Sequence, residues 1–368
     1  MQFKLVKHEI FNILQNAINF TSSKNINTIL QNVYISAENG KITIKTNSII
    51  SGFCATIDAK VESEGETTVV CKKLLDIIKE LPDNSTIDFS FDGSRLKIIS
   101  GKASFSLATM SPEMFPSMTE ITPEYTLKLK SADILDIVEK TLFCVANNAA
   151  KIEFTGLHFK VYGNKLELHS ADFQRIATAT ITLSDEQSDE FIINIPKKTV
   201  SDIYKMLSPE MDVEIYTDLK QLMVVYGNIK VFSRLIEKTV KSISSLFAVE
   251  APIEVTVNKN MVLDVLRKVM AIASEITHAV AISINADSFT MYSLETEYGQ
   301  GVDKIENIYH KGDDIDIVVN ARLLYEILSH IDSNDVIFKI TGRRNPISIL
   351  PSSGNYKYLL VPLAVDRA

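Results

Sequence analysis

The sequence predicts an α+β chain of three tandem, similar domains, each with two helices packed on curved, largely antiparallel sheet. Three observations predict it. A short alternating strand running into an amphipathic helix is written at Phe3 (FKLVKHEIFNILQNA), Tyr125 (YTLKLKSADILDIVEKTL) and Ile253 (IEVTVNKNMVLDVLRKVM), about 125 residues apart. A second strand–helix–strand unit is also written three times, from Thr67, Phe191 and Ile315. Hairpin signals fill the stretches between these units.

Taken in order, the first helix begins near residue 8 and places Ile10, Phe11, Ile13, Leu14, Ala17 and Ile18 on one stripe. A hairpin follows, turning at Asn39-Gly40. The second helix begins near residue 72, with Leu74, Leu75, Ile77, Ile78 and Leu81 as its apolar face. A later hairpin, SRLKIISGKASFSLATM, closes the first copy. The middle copy repeats this with helices near residues 131 and 197, a turn at Gly163-Asn164 and the hairpin KQLMVVYGNIKVFSRLI. The last copy has helices near 259 and 320, a turn around Ala286-Asp287 and the hairpin NPISILPSSGNYKYLLVPL. Pro112, Pro116 and Pro123 near Thr122 and Pro252 near Glu250 mark the joints, giving domains at 1–122, 123–250 and 251–368. The acidic stretches Ser184–Glu190 and Asp313–Asp316 are expected to be solvated loops.

Each copy of roughly 122 residues is long enough to bury its own core. Apolar and charged contents are those of a water-soluble globular protein, and no run approaches the ~18 apolar residues of a membrane span. Lys4, Lys7, His8 and Glu9 sit where a signal peptide would be apolar. Cys54, Cys71 and Cys144 lie in apolar runs without metal-ligand spacing and read as buried thiols of a reducing cytosol.

No catalytic pattern is present: no P-loop, no GxGxxG opening a helix after a strand, no GxSxG and no HExxH. The six histidines are scattered, although His158 and His169 flank one hairpin and can face each other. Asp172 and Arg175 flank Phe173-Gln174 and read as a loop ion pair. The residues alone leave three classes open: a nucleic-acid-binding body, an acidic repeat scaffold for proteins, and an enzyme with an unfamiliar site.

Charge favours the first. The net charge is −8, yet the six helices with their first flanking residues hold twelve basic against nine acidic positions. Lys72-Lys73 and Lys197-Lys198 stand at helix N-termini, where the macrodipole disfavours cations and stability alone prefers Asp or Ser. Such an end suits a phosphate. Arg267 and Lys268 add to the basic helix surface. If all helices face one shared cavity, the result is a modestly basic lining inside an acidic body, suited to sequence-independent contact with a polyanion.

The stretches TTVVCKKLLDIIKELP, SGKASFSLATMSPEMFP, GLHFKVYGNKLELHSADFQRIA, IDIVVNARLLYEIL and YLLVPL resemble the bacterial DNA polymerase III beta subunit family, the sliding clamps, and the resemblance spans essentially the whole chain. It implies three DNA-clamp domains per chain and a homodimer closing head to tail into a ring around duplex DNA. It implies a non-catalytic, cytoplasmic bacterial processivity factor needing no cofactor or metal. The implied partners are the polymerase III alpha subunit, the clamp loader, and other polymerases and repair proteins that dock short peptides.

Carried over by position, the peptide pocket comprises Phe154, Ala171, Phe173, Gln174, Arg175, Ile176, Leu246, Asn320, Leu359, Leu360, Val361, Pro362 and Leu363. For DNA, Lys24 and Lys151 match basic contact positions, with Asn148 nearby. Phe105 and Leu107 match a dimer-interface edge that faces the partner's equivalents of Ala271 and Ile272. The chain departs from the family pattern in places. Thr-Asp-Gly-His-Arg-Leu becomes Ala171 to Ile176, and Phe-Pro-Asp-Tyr becomes Val240-Lys241-Ser242-Ile243. A tyrosine pair becomes Ile152-Glu153. Ala364 replaces a penultimate arginine, and Asp366-Arg367-Ala368 extend the tail.

Overall fold

A computed structural model describes the chain except at residues 23–27, 119–120, 241–242, 297–298 and 365–368, and except for the side chains of residues 244 and 245. The six expected helices form: α1 (Lys7–Ala17), α2 (Cys71–Glu80), α3 (Ser131–Thr141), α4 (Lys197–Met206), α6 (Lys259–Met270) and α7 (Ala321–Ser329). A further short α-helix, α5 (Ser244–Phe247), lies between α4 and α6. Each long helix starts within one residue of its expected place, because each follows directly on a strand whose alternation stops there.

The repeat is visible in individual hydrogen bonds. The first amide of α1, α3 and α6 donates to a carbonyl in the loop beyond the second helix: Lys7 to Ser85 (2.9 Å), Ser131 to Met211 (2.9 Å) and Lys259 to Asn334 (2.8 Å). The same three side chains satisfy a carbonyl at the end of that second helix, which has no partner within the helix. Lys7 Nζ donates to Leu81 O, Ser131 Oγ to Ser208 O and Lys259 Nζ to Ile331 O, at 2.5 to 2.6 Å. A hydroxyl also fastens the end of the first helix: Thr46 Oγ1 donates to Ala17 O (2.9 Å), and Ser170 Oγ to Thr141 O (2.6 Å).

The chain folds into two compact units that cut through the middle repeat: Met1–Ala132 with Lys198–Leu235, and Asp133–Lys197 with Ile236–Ala368. The first holds one antiparallel sheet of thirteen strands. Within it the hairpin Asn32–Glu38/Lys41–Asn47 turns at Asn39-Gly40, both at positive φ, as Asn-Gly permits. The strand Ser51–Asp58 then pairs with Ile229–Arg234 of the middle repeat. Phe3 stacks on Phe89 at 4.7 Å in the core, with Ile10, Leu14, Leu74 and Ile78 of α1 and α2 buried.

The second unit holds a seven-stranded and a four-stranded sheet. Residues 156–161 pair with 191–196 and residues 165–171 with 176–182. The His158 and His169 rings stack at 4.6 Å, which requires the segment to double back at Gly163 (φ +55°), where the sequence placed its turn. Ser184–Glu190, expected as loop, is strand, though mostly exposed. Among the described residues no helix is long and apolar enough to cross a membrane. Cys71 and Cys144 are buried and Cys54 half-buried; burial pushes the Cys71 thiol up to about 12.

Candidate functional site

The loop Asp172–Arg175 is built by its own first residue. Asp172 Oδ1 accepts from the amides of Gln174 (2.8 Å) and Arg175 (2.9 Å), and the Asp172 amide donates to Arg175 O (3.0 Å). This Asx-type turn lifts Phe173 and Gln174 outward and turns Arg175 inward. Phe173 is 62% exposed and meets Phe154 edge-on at 5.7 Å.

Arg175 is 7% exposed. Its Nε donates to Asp172 Oδ2 (3.0 Å), Nη1 to Glu326 Oε2 of α7 (2.6 Å) and Nη2 to Phe143 O (3.2 Å). Its guanidinium also lies 5.2 Å from the Phe143 ring, which stacks on His330 at 3.9 Å. A buried guanidinium with three charged or polar partners and an aromatic face is a satisfied one. A second tie runs from Lys140 of α3 to Asp332 at 2.5 Å. Burial works against that charge, but the Asp332 carboxylate outweighs it and raises the Lys140 pKa.

The strand Tyr356–Leu360 runs beside this loop, with Leu360 opposite Arg175 and Leu359 opposite Ile176. The tail continues the ladder: the Val361 amide donates to Gln174 O (2.8 Å) and the Leu363 amide to Val318 O (2.8 Å). Leu363 packs on Ala279, Ala281 and Val318, beside Tyr292 and Leu294. The short α5 approaches from the linker, its Phe247 ring 4.8 Å from Lys357 Nζ and its Leu246 48% exposed.

The thirteen positions named for a peptide pocket thus divide. Phe173, Gln174, Leu246 and Val361 are exposed, and Phe154, Ile176 and Leu363 are half-buried. Ala171, Arg175, Leu359, Leu360 and Pro362 are buried and form the frame. Asn320 caps α7, its Oδ1 accepting from the amides of Arg322 and Leu323. Glu326, Phe143 and Lys140 were not anticipated. The Lys241-Ser242 stretch and the tail from residue 365 lie outside the described residues.

The linker toward α5 is held by the stacked histidines. The Val240 amide donates to His158 Nε2 (3.1 Å), and His169 Nε2 lies 3.1 Å from Val240 O. A carbonyl only accepts, so His169 carries its proton on Nε2, while His158 is unprotonated there. Burial pushes the His158 imidazole down to about 3.

The basic positions also divide. Lys72 and Lys73 are exposed in the first turn of α2 and pair with no carboxylate among the described residues. Lys197 is half-buried; its Nζ donates to Val145 O (2.6 Å) and Asn147 Oδ1 (2.8 Å), and burial lowers its pKa. That amine fastens the segment that presents Asn148 and Lys151, both exposed, and that carries Phe154 at its end. Lys198 donates to Asn19 O (2.5 Å) and Asp202 (2.6 Å). Arg267 and Lys268 are exposed near the end of α6; Lys268 pairs with Asp264 (2.7 Å) and Asp303 (3.0 Å). Lys24 lies outside the described residues.

Phe105 and Leu107 are half-buried on Ala103–Met110, whose side away from Arg95–Ser100 pairs, among the described residues, only at Thr109 and Met110. In the second unit Val302–Glu306 is an edge strand, with Val302 62% exposed. Ile272 lies against Gly299 and Gly301 next to it, and Ala271 is exposed. Among the described residues no group of three or more His, Cys, Asp or Glu is arranged to hold a metal.

Family models of the DNA polymerase III beta subunit match the chain three times in succession: the N-terminal domain at residues 1–119, the central domain at 128–240 and the C-terminal domain at 244–364. The beta sliding clamp of Rickettsia bellii is 26% identical over 370 residues, covering 96% of this chain and 97% of that protein. The beta sliding clamp of Haemophilus influenzae is 24% identical, covering 93% of each. Among solved structures, a DnaN sliding clamp from Pseudomonas aeruginosa superposes with a TM-score of 0.95 at 16% identity, over 99% of this chain and 100% of that one. A DNA polymerase sliding clamp from Bacillus subtilis gives 0.94 at 21% identity over the full length of both. With three consecutive domain matches and the three-copy fold, the chain belongs to the family of the bacterial DNA polymerase III beta subunit, the sliding clamps.

Proposed function

We propose that the chain works as a DNA sliding clamp: two copies close head to tail into a ring around duplex DNA in the bacterial cytoplasm. The observation that carries this reading is the family match over three consecutive copies of one unit. Free strand edges support closure. One edge holds Phe105 and Leu107; the other is Val302–Glu306, flanked by Ala271 and Ile272. Pairing two such edges continues a ladder across a subunit boundary and covers apolar side chains.

The clamp is not an enzyme; it holds, and holding is topological. A closed ring needs no tight contact, so a few cations suffice. Lys72, Lys73, Lys151, Lys198, Arg267 and Lys268 supply exposed positive charge for phosphates, with Lys24, Asn148 and Lys197 alongside. Weak, sequence-independent contact permits sliding. Tethering raises the effective concentration of a polymerase at the primer end, so that it rebinds instead of diffusing away.

The groove formed by the Asp172–Arg175 turn and the tail Leu359–Leu363 receives short peptides of the polymerase alpha subunit, the clamp loader, and other polymerases and repair proteins. It offers the exposed side chains of Phe173 and Val361, with half-buried Phe154 beside Phe173, over a buried frame. That suits a segment anchored by Leu or Phe. Light scattering tests the assembly: a particle of twice the 41.1 kDa chain mass supports it, and a strict monomer at micromolar concentration contradicts it.

A further inference from the structure

The frame of that groove occurs a second time, in the first compact unit. In the tail groove, strand Tyr356–Leu360 pairs with Arg175–Ala179, and the Val361 amide donates to Gln174 O (2.8 Å). Between the first and middle repeats, Ile229–Ser233 pairs with Ser51–Ala55 in the same register, and the Arg234 amide donates to Ile50 O (2.8 Å). Ile49 and Ile50 therefore stand where Phe173 and Gln174 stand, and Arg234 where Val361 stands.

This second frame lines an open cavity of about 140 Å³, with Ile49, Ile50, Met118 and Phe232 beside polar groups of Asn47, Ser51, Gln221 and Ser233. Ile49 takes φ +76°, a conformation strained for a β-branched residue. The turn holds Ile49 and Ile50 outward, 52% and 59% exposed. Met118 lines the cavity against Gly52: a Cβ on Gly52 would lie 2.6 Å from its methyl carbon, so Gly52 is the residue that admits it. Among the described residues Arg234 is the one charged residue lining the cavity, and its side chain pairs with no carboxylate among them.

We propose that this cavity is a second peptide-docking groove, taking a short segment of a partner protein with a leucine or methionine anchor next to an acidic residue. Met118, seated over Gly52, marks the class of side chain the cavity accepts and, being unbranched and flexible, can yield to one. Arg234, exposed at this cavity and without a carboxylate partner among the described residues, selects an acidic neighbour. The proposal rests on reading the tail groove as a peptide site, because the shared frame carries the comparison.

Methyl NMR of the isoleucine-labelled full chain tests it, with acetyl-Asp-Leu-Leu-amide as the probe at millimolar concentration. Ile49 and Ile50 report on the second groove and Ile176 on the tail groove. The expected result is saturable movement of Ile49 and Ile50, weakened about two- to five-fold by Arg234→Glu, with the Ile176 response unchanged. Movement of Ile176 alone overturns the second groove and leaves the tail-groove reading standing. Movement of Ile49 and Ile50 that Arg234→Glu leaves unchanged overturns the acidic selectivity. Stillness at all three positions overturns both readings.

Discussion

Arg175 Nη1 lies 2.6 Å from Glu326 Oε2, joining the Asp172–Arg175 turn of the middle repeat to helix α7 of the last. The guanidinium is almost wholly buried and Glu326 is partly exposed, so the pair is anchored on the arginine side. The groove proposed for peptides is shaped by this contact and by Arg175 Nε on Asp172.

Replacing Arg175 with Ala removes three hydrogen bonds from a buried position and leaves Asp172 and Glu326 without their cation. The expected cost is about 2–4 kcal/mol. Urea denaturation measures it. Lys at this position recovers only part of the loss, because an ammonium cannot reproduce the planar fork.

His158 predicts an acid sensitivity. Its folded pKa of about 3 lies below the unfolded value of ~6.5. Between those values the unfolded chain binds a proton that the folded chain does not. The contribution is therefore complete above pH 6.5 and is lost as pH falls, by up to about 1.4 kcal/mol per unit. His158→Gln keeps an acceptor for the Val240 amide but does not titrate. Between pH 7 and 5 the unaltered chain should lose about 1–2 kcal/mol more than this variant in urea melts.

Lys72 and Lys73 separate from Lys197. Changing both exposed lysines to Glu should weaken DNA binding for every sequence and lower the salt slope by about 2, with the thermal midpoint unchanged. Lys197→Met should instead speed amide exchange across residues 145–151, because its amine holds Val145 O and Asn147.

Leu107→Asp places a carboxylate on the half-buried edge proposed for closure. The expected outcome is a folded monomer by light scattering with an unchanged circular dichroism spectrum. A dimer of undiminished stability would contradict this placement of the interface.

Much of the fold was legible because its signals are local. Alternation giving way to a 3.6-residue period marked the six helices, and Asn39-Gly40 and Gly163-Asn164 marked turns. The reach of individual side chains was not. Asp172 and Arg175 read as a loop pair, but Glu326 stands 151 residues from Arg175, and no local pattern links them. Charge counting found Lys197 but not that its Nζ ends on a carbonyl 52 residues away. The pairing of Ile229–Arg234 with Ser51–Asp58, which divides the middle repeat between two units, is an edge-to-edge contact with no sequence signature.

The most direct measurement is retention on DNA of two topologies. The protein is loaded on a nicked circular plasmid with a clamp loader and passed through a sizing column in high salt. A ring predicts that it stays with the circle and runs off when a single restriction cut makes the same DNA linear. Equal retention on both forms, or equal loss from both, would contradict encirclement.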